Sequence, residues 1–584
     1  MSALPEGEPW YFDGWEVSGN TGVAPSRLTK IPTLQRRALW APWRKRTPLD
    51  QASSEEGLQQ ISRLLESEGY YDHHGHLSWT LDESFHLASA EVAIESGPRM
   101  VCAEIELQFP KEKVPHLERE LQSKLLLHKG EYFTEAHFQK SQQDLLLVLM
   151  DHGHLWAKVN PEAQLNPHLN LARVRYIVEP GPITTTGPTL IKGLNHISEA
   201  FVIREFVHTQ GETFHFSNLL STRQKLIGTR WFSSVIITPD PSATEGSTEV
   251  PILLELVEAE PRTVGIGLGV GSDVGPRTRL TWQHRNWMGL GWKNKNEFQI
   301  STQELRVKST MDIPYSLRND ASTKASFSYG QDKEDDYKVK TGELEGLWTR
   351  QYHRFANYGL GWSLKSEEHD SDSTLLQSLG DPAEAALMNG PILQWARDFK
   401  NSLWNGFLFS SIWKGQSYFD TNDSKAGFWQ QQITFRLRQD LFGDWEMHDR
   451  LKLGWMEEWE GMSIPVSDRY YSGGSSSVRG YSRRNIGPHN PYGDTLGGKS
   501  LAEFSIELQH PLWIKNLRGA IFTDGGQLDL KTSGLQISDF QHSIGTGLAY
   551  ELPMGQMKVD LGIPLNRNSW DAPFQIHFDF GVTL

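Results

Sequence analysis

The chain has 584 residues, 38% of them hydrophobic, with a formal net charge of −15 and one cysteine, Cys102. Mean hydropathy is −0.49, and the longest apolar block, residues 145–150, falls far short of the roughly 20 residues that a transmembrane helix needs. Helical membrane spans, an internal disulfide, a cysteine-based metal cluster and non-specific nucleic-acid binding are thereby excluded, but a membrane β-barrel is not, because its strands show lipid only one apolar face.

This length predicts at least two domains. The N-terminus, MSALPEGEPWYF, has neither a basic n-region nor an apolar h-region. Either the chain is a mature form with a start methionine, or a targeting segment lies outside it.

The first 258 residues hold three similar units, each a helical stretch, a short motif around an aromatic residue, and strand-like alternation. In the first, Ser53 and Glu56 suggest a capping box; Leu58, Ile61 and Leu65 follow at helical spacing, then Gly69-Tyr70-Tyr71. In the second, Gly130-Glu131-Tyr132-Phe133 leads into a helix with Phe138, Leu145 and Leu149, ending at Gly153-His154-Leu155. In the third, Gly211-Glu212-Thr213-Phe214 precedes a helix with Leu219, Leu220, Leu226 and Ile227, ending at Arg230-Trp231-Phe232. This long period predicts small α/β domains in series rather than a tight solenoid. The aromatic residues are expected to pack cores. The first unit also carries an insertion-like basic stretch, 36–46, with no evident role. Asp72-His73-His74-Gly75-His76 has the residue types of a metal site but reads more simply as a solvated loop.

From about residue 259 the pattern changes to period two. Val264, Ile266, Leu268 and Val270 alternate with Gly265, Gly267, Gly269 and Gly271. Tyr358, Leu360, Trp362 and Leu364 alternate with small residues; Ile433, Phe435 and Leu437 with polar ones. Met557, Val559, Leu561, Ile563 and Leu565 share a face of another strand, and Phe574, Ile576, Phe578, Phe580, Val582 and Leu584 share a face of the last. Fourteen of the 21 tryptophans lie in this half. Alternation alone fits a sandwich or a barrel. The final strand decides for the barrel, since six apolar positions would make it a sticky edge unless it closes against the first. Sixteen strands would give about 20 residues each, enough for a crossing of about 10 plus a connection.

Residues 473–481 read GGSSSVRGY. Two glycines and three serines make a turn-prone loop, and Arg479 carries a fork suited to a carboxylate. Asp524, within Phe522-Thr523-Asp524-Gly525-Gly526, is a candidate partner; from local sequence, Asp-Gly reads equally well as a type I′ hairpin turn. The glycines at 265, 267, 269 and 271 leave one strand face bare. They either weaken the first strand, so that a seam can open and accept substrate strands by main-chain pairing, or make room for an inserted loop; the two are compatible.

Together these stretches resemble the outer-membrane-protein-85 superfamily. The Val478-Arg479-Gly480-Tyr481 element resembles its lumenal loop motif, residues 271–277 its first strand and turn, residues 522–526 the facing strand motif, and the last eleven residues its C-terminal signal. The three N-terminal units resemble POTRA domains, with Arg230 where glycine is usual and His154 where an aromatic is usual. The resemblance implies POTRA domains at 1–96, 97–181 and 182–259, and a 16-stranded antiparallel outer-membrane β-barrel at 260–584. It implies that Arg479 meets Asp524 on the barrel wall, and that the seam runs between the first strand and the last, which carries Phe574, Phe578, Phe580 and Leu584. Three units place the resemblance nearest the TamA branch, the translocation and assembly module subunit. The expected function is insertion or secretion of outer-membrane proteins such as autotransporters, in contact with outer-membrane lipid and a TamB-like partner anchored in the inner membrane. The alternative is a two-partner-type or Toc-type translocation channel for a dedicated substrate. No nucleophile-elbow or metalloprotease motif is present, and no enzyme activity, cofactor or metal is expected.

Overall fold

The computed structural model describes residues 10–20, 22–23, 48–49, 51–82, 87–110, 114–334, 337–353, 355–369, 385–400, 407–421, 426–459 and 463–583. The basic stretch 36–46 and Leu584 lie outside these residues.

The N-terminal half repeats one connectivity. In the second unit, Val101–Gln108 runs parallel to Leu171–Glu179, which pairs antiparallel with Lys158–Asn166. In the third, Thr185–Lys192 runs parallel to Glu249–Glu258, with Phe232–Pro239 on its other side. The first pairs Trp10–Ser18 parallel to Leu87–Glu95 and antiparallel to the short strand Pro48–Leu49; Leu87–Glu95 also pairs antiparallel with His74–Asp82. A parallel pair needs a crossover, supplied by the helices Gln51–Ser67, Glu135–Asp151 and Phe216–Thr229. In the second unit Leu145 and Leu149 on the helix pack with Cys102, Ala172, Val174 and Tyr176 on the sheet, all fully or almost fully buried.

Helix ends follow local chemistry. Thr134 caps the second long helix, its Oγ1 accepting from the His137 amide at 3.3 Å. The helix already runs from Gln51, so Ser53, the expected capping position, sits inside it rather than before it. All three long helices exit through a left-handed residue, Gly69 (φ 95°), Gly153 (φ 90°) and Arg230 (φ 59°). Phe133, Phe214, Trp231 and Phe232 are buried, whereas Tyr132 is exposed. His73, in the histidine-rich stretch, uses both ring nitrogens locally, 2.7 Å from Ser62 Oγ and 2.9 Å from the Tyr70 carbonyl.

The C-terminal half is a closed barrel of sixteen antiparallel strands, from Arg262–Gly271 to Gln575–Thr583. Every neighbouring pair is antiparallel and follows chain order, so closure joins the first strand to the last. The alternation dictates which side faces out. Val264, Ile266, Leu268 and Val270 are exposed on the outer face, as are Leu360, Trp362, Ile544, Leu548 and Ile576. No helix among the described residues is long and apolar enough to cross a membrane. Between strands Glu446–Glu458 and Ser500–Pro511, residues 463–499 fold into the lumen, burying Val466, Tyr470, Val478, Arg479, Tyr481 and Ile486.

Candidate functional site: the lumenal loop and the barrel seam

The loop is held by charge. Arg479 Nε lies 2.8 Å and Nη2 2.9 Å from the two oxygens of Asp524, a bidentate fork, and the Arg479 amide donates to Asp524 at 3.0 Å. Arg479 Nη1 also reaches Glu507, and Asp560 at 3.5 Å. The guanidinium lies 3.4 Å from the centroid of the Phe522 ring. Asp524 is fully buried and Glu507 and Asp560 nearly so. Lys558, 3.5 Å from Glu507 and 3.1 Å from Asp560, is the second cation of the cluster. Removing one partner from such a network strands the remaining buried charges.

Residues 523–526 lie in the middle of the strand Leu517–Asp529, not in a turn. Their glycines answer to packing. A Cβ on Gly525 would sit 2.2 Å from the Phe504 ring, and one on Gly526 would sit 2.8 Å from Val478 Cγ2. Gly480, at φ 98°, brings the loop backbone against the opposite wall: a Cβ on Gly562 would meet the Gly480 amide nitrogen at 2.4 Å. Tyr481 donates its hydroxyl to the His542 carbonyl at 3.1 Å.

Further anchors tie the loop elsewhere. Arg484 Nη1 lies 2.8 Å from Glu334 Oε1, its Nη2 donates to Tyr337 at 2.7 Å, and its guanidinium lies 3.3 Å from the Tyr471 ring centroid. Arg483 shares Glu334, with Nη2 at 2.9 Å. The buried Lys365 pairs with Asp468 of the loop and with Glu367 at 2.5 Å. The loop amide of Ser475 donates to Asp273 at 2.6 Å, and Asp273 Oδ1 lies 3.4 Å from His577 Nδ1. Burial pushes the Asp273 carboxyl up, but hydrogen bonds from His577 and Ser475 outweigh it and hold it well below the usual carboxylate range. His577 Nε2 in turn accepts from the Gly480 amide at 3.2 Å. The loop tip is therefore bonded to the first hairpin turn and to the last strand.

The seam between those elements is short. Among the described residues the first and last strands register over five pairs, Gly267↔Thr583 to Gly271↔Asp579. The first and second strands register over ten, and the sixth and seventh over fourteen. The glycines of the first strand face the lumen, where Arg277 of the second strand reaches across to Asp579 of the last, Nη2 to Oδ1 at 2.7 Å. A Cβ on Gly269 would lie 2.9 Å from Arg277 Nε. At Gly267, Gly269 and Gly271 the atoms nearest such a Cβ belong to Arg277, Arg279, Val274 and the last strand; at Gly269 the bare face accommodates this crossing.

A family model described as the Omp85 superfamily domain matches residues 286–584, just over half of the chain. The chain belongs to the Omp85 superfamily. It is similar to the outer membrane protein assembly factor BamA of Nitratidesulfovibrio vulgaris, 22% identical over 610 residues covering 99% of this chain and 74% of that one. It is also similar to BamA of Neisseria meningitidis, 20% identical, covering 100% and 79%. The crystal structure of BamA from Haemophilus ducreyi lacking POTRA domains 1–3 shares its fold, with a TM-score of 0.65 at 19% identity, covering 83% of this chain and all of that one. This Omp85 protein is thus a BamA-like factor of outer-membrane protein assembly or secretion, with its barrel in the outer membrane and its POTRA domains in the periplasm.

Within this Omp85 barrel the structure brings together Val478, Arg479, Gly480, Tyr481 and Asp524, and sets Gly267, Gly269 and Gly271 against Phe580 and its neighbours. Gly265 pairs with Thr281 of the second strand. Phe578 and Phe580 lie in the last strand, while Phe574 immediately precedes it. Glu507, Asp560, Glu334, Lys365, Asp468, Arg277 and Asp579 were not singled out from sequence. Most carried a signal only as charged residues on the polar side of alternating strands; Asp468 lies in the lumenal loop and Glu334 just past a strand end, where no alternation marks them.

Proposed function

We propose that this chain inserts or secretes other outer-membrane proteins, such as autotransporters, by letting client strands add to the first barrel strand where it meets the last. The observation that carries this reading is the five-pair seam closed over a glycine face. Each lost backbone pair lowers the cost of opening, and an opened first strand offers unpaired amides and carbonyls for β-augmentation. The loop, bonded to both sides of the seam through Asp273 and His577, is positioned to sense whether it is open. The three-unit arm supports the TamA branch, with a TamB-like partner reached through the first POTRA domain. No covalent chemistry or cofactor enters this reading; the work comes from strand exchange at the lipid boundary.

The test is a disulfide between Val270→Cys and Phe580→Cys, which face each other across the seam. The native Cys102 is buried and remote in sequence. Oxidation should abolish insertion of a client barrel into vesicles and reduction should restore it. Full activity with the seam locked would refute lateral strand addition.

A further inference from the structure

The seam has a feature that main-chain pairing does not require. Backbone hydrogen bonds are blind to sequence, so any selectivity among incoming strands must come from side chains. On the lumenal face the last strand presents Asp579 to Arg277, and the guanidinium reaches it by lying over Gly269, where a Cβ would block its path. On the same face of the last strand, opposite Gly269, Gly581 is also bare, its would-be Cβ 3.4 Å from Arg277 Nη2, an ordinary contact distance. Gly269 of the first strand thus clears the path by which an arginine on the second meets a carboxylate on the last.

Behind this contact lies a cavity of about 520 Å³ lined by Arg277, Arg279, Asp579, Gln299 and Arg483, among others. Its other charges keep their partners without the last strand. Arg279 bonds Gln299, Arg483 bonds Glu334, and Glu304 and Asp332 bond Arg306. Among the described residues, Asp579 is the carboxylate partner that the structure gives Arg277. Displacement of the last strand therefore strips Arg277 of its carboxylate partner, while Arg279 keeps Gln299, Arg483 keeps Glu334 and Arg306 keeps Glu304 and Asp332.

We propose that Arg277 is a carboxylate-reading residue for client strands, so that the seam selects β-strands carrying Asp or Glu on the lumenal face where Asp579 now sits. The chain's own Phe578-Asp579-Phe580-Gly581 is the internal mimic of such a segment: outward aromatics on either side of an inward acid, then a glycine beside the guanidinium. This rests on the reading of the seam as the site of strand addition. Arg277 and Asp579 are both partly solvated, so their pair contributes up to about fivefold in a binding constant. That is a bias among strands rather than an absolute gate.

The experiment uses the full chain with Leu268→Cys in phosphatidylethanolamine–phosphatidylglycerol vesicles. The probe is a synthetic peptide of sequence 574–584 with cysteine at the Val582 position, which registers with Leu268, and a second peptide with asparagine at the Asp579 position. Disulfide capture of the acidic peptide should exceed that of the amide peptide about fivefold, and Arg277→Gln should erase the difference. Arg277→Glu should favour a peptide with lysine at that position. Heat-modifiable gel mobility confirms that each variant is folded, and the comparison of peptides on the Arg277-containing protein needs no change at Arg277. Equal capture of both peptides there would overturn the inference while leaving strand addition intact. A preference that survives Arg277→Gln would overturn the assignment to Arg277. Capture of neither peptide would refute strand addition at this edge and the inference with it.

Discussion

Replacing Arg479 by alanine removes the cation around which three buried carboxylates are arranged. Asp524 is fully buried, and the side chains of Asp560 and Glu507 are 3% and 8% exposed. Only Lys558, which does not touch Asp524, remains to offset them. Breaking a buried network by removing one partner costs about 3–5 kcal/mol, because the surviving charges are stranded. The expected loss for Arg479→Ala is thus about 3–5 kcal/mol, a factor of roughly 150 to 5,000 in the docking equilibrium of the loop. Arg479→Lys keeps the charge but not the fork, and should lose about 2 kcal/mol. The assay is urea unfolding of the barrel in detergent micelles, read by heat-modifiable gel mobility. The double variant Arg479→Ala/Asp524→Asn should recover about half of the loss, since the best-buried stranded charge is gone. An Arg479→Ala barrel within about 1 kcal/mol of the parent, or no recovery on adding Asp524→Asn, would refute this reasoning.

Gly480→Ala should destabilise loop docking by about 1–3 kcal/mol, from its φ of 98° and a Cβ only 2.9 Å from Ser543 Cβ; protease accessibility of residues 473–487 would report it. Arg230→Gly should stabilise the protein by up to about 1 kcal/mol, because Arg230 holds a left-handed φ of 59°; its thermal midpoint is the measure. Burial holds the His208 imidazole below its ordinary value. As pH falls through about 6.5 the unfolded chain takes up a proton before the folded chain does. Stability of the third POTRA domain should therefore fall as pH drops through that window, and His208→Gln should flatten the profile in urea midpoints measured from pH 8 to 5.

The two halves of the fold were legible for different reasons. Helical spacing at Leu145 and Leu149 and period-two alternation at 264–270 each bury one face, and burial has only one solution for such patterns. The capping box at Ser53 misled because local capping chemistry does not fix where a helix starts when residues 51 and 52 also continue it. From local sequence alone, residues 523–526 read equally well as a turn, because Asp-Gly has turn geometry in isolation; here the glycines clear space for Phe504 and Val478, which only tertiary packing reveals. The same limit hid Glu507, Asp560 and Arg277. An inward charge on an alternating strand looks like any other polar lumenal residue until the strand order says what stands opposite.

The lumenal loop takes its bonds from walls far apart around the barrel: Glu334 and Lys365 near the fifth to seventh strands, Glu507, Asp524 and His577 from the twelfth to the sixteenth. A cylinder sealed first would have to admit the buried Arg479 and the half-buried Arg484 through its open end and strip their water before any carboxylate could be reached. Building the wall around the loop avoids that barrier, because each carboxylate then arrives with its own strand. The loop is better regarded as a mandrel on which the cylinder is wound, and the five-pair seam marks where the winding ends.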